Sequence, residues 1–243
     1  MHDSFLFNLS PGDVHVWHFT LDVPDALSAR YEATLAPDEL KRADRFRRDV
    51  LRSRFVAGRG ALRAILGSYL GIEPVEVVFA YGNRGKPALS GLTRGALSLE
   101  FNLAHTDSLA LCALSLGRPV GVDVERLRPM NEAERIIGRY FTPREQAEFL
   151  GYAEPERVGA FFRGWARKEA YLKATGDGLA ASLDSFEVSL TAGAAALLRV
   201  GDDPAAAGRW TLRELDAPSG FVAALAVEGP LGTVTIREWL GAA

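Results

Sequence analysis

The chain has 243 residues, 48% of them apolar, a net charge of −3 and a single cysteine. That length and apolar content exclude a disordered chain and allow one large domain or two small ones, each with a real core. The small net charge argues against a general nucleic-acid binder, and the lone Cys112 excludes an internal disulfide or a cysteine zinc cluster. The N-terminal stretch MHDSFLFNLSPGD has no basic start followed by a long apolar run, so no signal peptide is expected. No segment approaches the roughly 20 apolar residues of a membrane span. A cytoplasmic protein without membrane or nucleic-acid partners is expected.

Residues 14–23 partly alternate and predict a strand. Residues 37–70 carry apolar side chains at helical spacing and predict helix, with a break expected around Gly58 and Gly60. A short strand at 75–80, the turn GNRGKP, and strands at 97–103, 109–116 and 120–125 follow. Residues 131–151 and 155–175 predict two helices, and 186–190, 209–215, 221–227 and 233–239 four more strands. The alanine-rich stretch 191–208 reads as a variable loop or a hairpin with a long tip. The order helix, glycine, short strand occurs at 57–79 and again at 166–190. This echo predicts an α+β fold of two pseudo-symmetric halves, 1–117 and 118–243. Each is a small antiparallel sheet packed with helices.

Within GVDVERLRP, residues 121–129, the period-2 alternation of a strand puts Val120, Val122 and Val124 on one face. Asp123 and Glu125 share the other, roughly 7 Å apart or less. Such a pair is either an ordinary exposed strand face or a site for a cation or proton that relieves the repulsion. In FFRGWARKEAYLKATGDGL, residues 161–179, Trp165, Glu169 and Lys173 lie on one helix face beside an aromatic row. Glu169 there has Lys173 or a metal as its candidate partner. Residues 41–63 hold nine cations against Asp44 and Asp49, a local excess that suits either a solvated helix face or a polyphosphate ligand. Lys86 sits in an exposed turn that lacks the spacing of a Walker loop, and His105 ends FNLAH just after a strand. Ile136, Ile137, Tyr140 and Phe141 crowd 131–150 and are either core or a docking face for a partner helix.

Taken together, GKP at 85–87, FNLAH at 101–105, GVDVE at 121–125 and WARKEAYLKATGDGL at 165–179 resemble the surfactin-type 4′-phosphopantetheinyl transferases. The resemblance implies transfer of 4′-phosphopantetheine from coenzyme A to a serine of an apo acyl- or peptidyl-carrier protein, with release of 3′,5′-ADP. It implies that Asp123, Glu125 and Glu169 hold Mg²⁺ against the pyrophosphate, with Lys173 a phosphate contact. The serine proton needs a base, and Glu169, beside the ion, is the expected one. The resemblance implies that Arg42, Lys86 and His105 hold the phosphates at the nucleotide end, with Pro87 near the adenine. Arg54, in a stretch that matches the family only loosely, is expected to bind coenzyme A as well. The resemblance also implies two pseudo-symmetric α+β halves with coenzyme A between them and the active site at their interface. Two fused halves would complete this site in one chain, so a monomer is expected. The family often has serine before the histidine, and this chain has Ala104 instead.

Overall fold

The computed structural model describes residues 7–82, 85–91, 93–94, 97–176 and 182–241. The turn residues Asn83 and Arg84, and Asp177 to Leu179 of the helix motif, lie outside them. Strand β1 (Val14–Thr20) is followed by helices α1 (Asp25–Glu32), α2 (Pro37–Ala43) and α3 (Asp49–Leu70). Strands β2 (Phe79–Tyr81), β3 (Pro87–Leu89), β4 (Thr93–Arg94), β5 (Leu97–Thr106), β6 (Leu109–Leu116) and β7 (Val120–Arg126) come next. Helices α4 (Ala133–Tyr140), α5 (Pro143–Gly151) and α6 (Glu154–Thr175) lead to the last five strands. These are β8 (Phe186–Val188), β9 (Leu197–Val200), β10 (Trp210–Leu215), β11 (Phe221–Glu228) and β12 (Val234–Glu238).

The expected helix over 37–70 does break, at 44–48 and not at its glycines. Arg45, Arg47 and Arg48 crowd that stretch and are all exposed, so repulsion opposes helix there and no burial favours it. Gly60 stays inside α3 because a Cβ there would lie 2.2 Å from Cβ of Tyr31, so the missing side chain lets α1 lie close. The expected helix over 131–151 splits at Thr142-Pro143. Proline disfavours helix at the residue before it, and Thr142 accepts a hydrogen bond from the Glu145 amide to start α5. The alanine-rich stretch contains β9, which pairs antiparallel with β8 as a hairpin.

The strands form a five-stranded sheet, β12-β1-β6-β5-β4, and a three-stranded sheet, β10-β11-β7. Most pairings are antiparallel. The exception is β12, which returns to pair in parallel with β1. Alternation assigns each face. Trp17, Phe19, Cys112 and Leu114 point toward α3, while Val14, Val16 and Ala113 meet Val120, Val122, Val124 and Leu225 between the two sheets. The outer face of the smaller sheet carries Ala224 and Ala226 into a third core with α4, α5 and α6. The order of layers is α3, large sheet, small sheet, α6.

Gly121 sets the last of these spacings. A Cβ built on it would lie 2.1 Å from the carbonyl oxygen of Ala170 and 2.3 Å from the amide nitrogen of Ala174. Neither backbone atom can yield, so the backbone of α6 can come this close to β7 only over a glycine. Gly121→Ala is expected to push α6 off the strand, cost on the order of 1–3 kcal/mol as overpacking does, and lower activity beyond its effect on Tm. A variant with wild-type Tm and activity would contradict this packing.

Candidate active site

The strand face expected to be either solvent-exposed or ion-binding is covered by α6. Asp123 is only 5% exposed, while Glu125 beside it and Glu169 and Lys173 above it are half-buried. Lys173 Nζ lies 2.5 Å from Asp123 Oδ1, so its ion pair is with the strand acid and not with Glu169. The other carboxylate oxygen, Asp123 Oδ2, is buried without a hydrogen-bond partner. Asn102 Oδ1 on β5 accepts from the Val122 amide at 2.9 Å and pins this strand beside the large sheet.

The electrostatics of the cluster are unbalanced. Burial pushes the Asp123 carboxyl up to about 7, outweighing the Lys173 ammonium that opposes it, and the charges of Glu125 and Glu169 add to the rise. Burial also raises Glu125, against the pull of Arg128 and Lys173 and with the repulsion of Glu169 and Asp107. Between the ordinary Asp value and about 7, folded Asp123 therefore retains a proton that the unfolded chain releases. Stability falls as pH rises through that window. In chelator, Tm is expected to drop more steeply from pH 5 to 8 for the wild type than for Asp123→Asn. Parallel profiles would contradict the shift.

Among the described residues no group of three or more His, Cys, Asp or Glu side chains is arranged to hold a metal ion. Mg²⁺ does not require such a cage, because it keeps several waters and takes one or two carboxylates plus substrate phosphates. An orphaned buried carboxylate oxygen, with Glu125 and Glu169 within electrostatic reach, fits that ion.

The sequence motifs meet around this cluster unevenly. Lys86 reaches the far end of α6, where Nζ donates to the Ala174 carbonyl at 3.0 Å and to that of Val120 at 3.4 Å. Its pKa is lowered by burial, against the pull of Glu100. Pro87 starts β3 and is half-buried. His105 lies near Lys173, and partial burial followed by that ammonium lowers its pKa. Arg42 is exposed, with its guanidinium 5.3 Å from the Phe55 ring centre. Arg54 is held by Asp22, its Nε 2.6 Å from Oδ1. Ala104 is 3% exposed and packs between the sheets, so a methyl suits its place. Ile137 and Phe141 are in the core, and Ile136 and Tyr140 pack against it, so this row is mostly core. Asp107, with φ of 49° and an ion pair to Arg126, was not singled out in the sequence, although its field reaches Glu125 and Arg54.

An α+β scaffold that gathers acids and cations in this way suits an enzyme whose substrate carries phosphates. The model of the 4′-phosphopantetheinyl transferase superfamily matches residues 119–226. The chain is 45% identical over 217 residues to the 4′-phosphopantetheinyl transferase HetI of Nostoc sp. (strain PCC 7120), covering 89% of this chain and 88% of that one. It is 26% identical to the 4′-phosphopantetheinyl transferase Sfp of Bacillus subtilis, over 66% of this chain and 69% of that one. A crystal structure of Thermotoga maritima holo-[acyl-carrier-protein] synthase aligns at 26% identity and a TM-score of 0.37, over 46% of this chain and 63% of that one. The chain belongs to the 4′-phosphopantetheinyl transferase superfamily. Enzymes of this family use coenzyme A as substrate and act on carrier proteins. Among the described residues no helix is long and apolar enough to cross a membrane.

Proposed function

We propose that this chain transfers 4′-phosphopantetheine from coenzyme A to a serine of an apo acyl- or peptidyl-carrier protein, releasing 3′,5′-ADP. Asp123, Glu125 and Glu169 would hold Mg²⁺ between themselves and the pyrophosphate of coenzyme A. The ion, when bound, neutralises charge that develops on the pyrophosphate. Glu169 takes the proton of the carrier serine hydroxyl. The serine oxygen then bonds to the phosphorus that bears pantetheine, and the bond from that phosphorus to 3′,5′-ADP breaks. Lys173 balances the charge of the departing nucleotide. The observation that carries this reading is the buried Asp123, with one oxygen on Lys173 and the other unpartnered, beneath the helix that bears Glu169.

The nucleotide end of coenzyme A is assigned to Arg42, Arg54, Lys86, Pro87 and His105. Arg42 supports this because it has no ion-pair partner among the described residues, whereas Arg54 is already paired with Asp22. A cytoplasmic monomer of two halves, 1–117 and 118–243, is part of the same proposal, with β12 of the second half crossing to pair with β1 of the first. Lys86→Ala should raise the KM for coenzyme A about 10-fold or more, the effect of losing a charge-assisted phosphate contact, and leave the carrier KM unchanged. An unchanged coenzyme A KM would remove Lys86 from the phosphate site.

The reaction products test the reading as a whole. With coenzyme A and Mg²⁺, 3′,5′-ADP should appear only when apo-carrier is present, in proportion to carrier consumed. Nucleotide or phosphate released without carrier would make the protein a phosphohydrolase instead.

A further inference from the structure

Lys168 and Glu145 form a closed ion pair that the proposed chemistry does not use. Lys168 stands next to Glu169 in the helix motif and is 0% exposed. Its three ammonium protons meet three acceptors: the carbonyls of Leu183 at 2.7 Å and Phe186 at 2.8 Å, and Glu145 Oε1 at 2.9 Å. Rings of Phe141 and Phe186 flank the ammonium at 5.0 and 4.4 Å. Glu145, also 0% exposed, accepts from the Val188 amide through Oε1 and from the Thr142 amide through Oε2, each at 2.8 Å. Nothing in this arrangement opens to solvent. Glu145 is therefore no candidate to replace Glu169 as the base.

We propose that the Lys168–Glu145 pair is a positioning device that fixes the rotation of α6 about its own axis and so aims Glu169 and Lys173 at Asp123. Adjacent helix residues are about 100° apart, so Lys168 and Glu169 leave the helix on neighbouring faces. On the β7 side the helix rests on Gly121 through the backbone of Ala170 and Ala174, a smooth contact that sets distance. Lys168 supplies a lateral anchor that such a contact lacks, beside that of Arg167, whose guanidinium donates to the carbonyls of Ser189 and Thr191 and pairs with Glu214. It ties α6 to the start of α5, to Leu183 and to β8 at one point. A carboxylate roughly 6 Å from the helix axis moves about 1 Å for each 10° of rotation. A shift of that size at a reacting group typically costs about 10²-fold in rate.

The proposal rests on the assignment of Glu169 under Proposed function, and two variants separate the two claims. Lys168→Met with Glu145→Gln removes both charges together, an exchange that buried pairs often tolerate. Glu145→Gln alone keeps the ammonium and both carbonyl acceptors. In the double variant kcat should fall about 30–100-fold, with both KM values within about threefold of wild type. Coenzyme A affinity, read by calorimetry in chelator, should be unchanged, while Mn²⁺ affinity, read by electron paramagnetic resonance, should weaken. Glu145→Gln should show the same pattern several-fold smaller. Wild-type kcat and Mn²⁺ affinity in a folded double variant overturn the proposal. Loss of the fold in both variants also overturns it, because the pair then serves folding and not aim. If Glu169→Gln itself keeps its kcat, the assignment of Glu169 fails instead, whatever the pair does.

Discussion

Asp123→Ala should abolish Mg²⁺-dependent transfer and leave the fold intact. Asp123 is the most buried of the three acids, and its place is unfavourable for a charge, with a carboxyl raised to about 7 and one oxygen unpartnered. Removing it takes away desolvation cost along with the Lys173 ion pair. Lys173 is 29% exposed at its side chain and can turn toward water, so no buried cation is stranded. The loss should therefore be in chemistry and not in Tm. A buried acid that only neutralised Lys173 would give the opposite result, a variant of near-normal rate and lowered Tm.

Glu169→Gln should keep most coenzyme A binding and lose about 10²–10⁴ in kcat, the range general-base catalysis contributes. In free energy that is about 2.7–5.5 kcal/mol of the barrier. The amide keeps the shape of the side chain and loses the charge and the basic oxygen. Glu169 is half-buried on α6, its charge within reach of Asp123 and Glu125, so the exchange should leave packing unchanged. Near-normal kcat at saturating Mg²⁺ would remove the base role from this residue.

The site was legible in sequence where periodicity alone decides orientation. A spacing of two in a strand aligned Asp123 with Glu125, and a spacing of four in a helix aligned Glu169 with Lys173. The cover over that strand face was not legible, because burial there depends on α6 crossing β7. Gly121 was the available sign, a glycine inside a strand pattern where a close backbone approach is a standard reason. The Lys168–Glu145 pair was hidden because its partners lie 23 residues apart on different helices, and lysines beside acids in a helix read first as surface. The helix break at 44–48 was misplaced for a related reason. Glycine propensity pointed to Gly58 and Gly60, and the packing of Tyr31 against α3 overrode it.

The most direct test of the account is the mass of a carrier. Apo acyl- and peptidyl-carrier proteins are incubated with the wild-type chain and coenzyme A, with Mg²⁺ or with chelator, and weighed. The account requires a gain of one phosphopantetheine on at least one carrier, located at its serine, with Mg²⁺ and not with chelator, and no gain with Asp123→Ala. A gain of equal extent in chelator, or with Asp123→Ala, would contradict it.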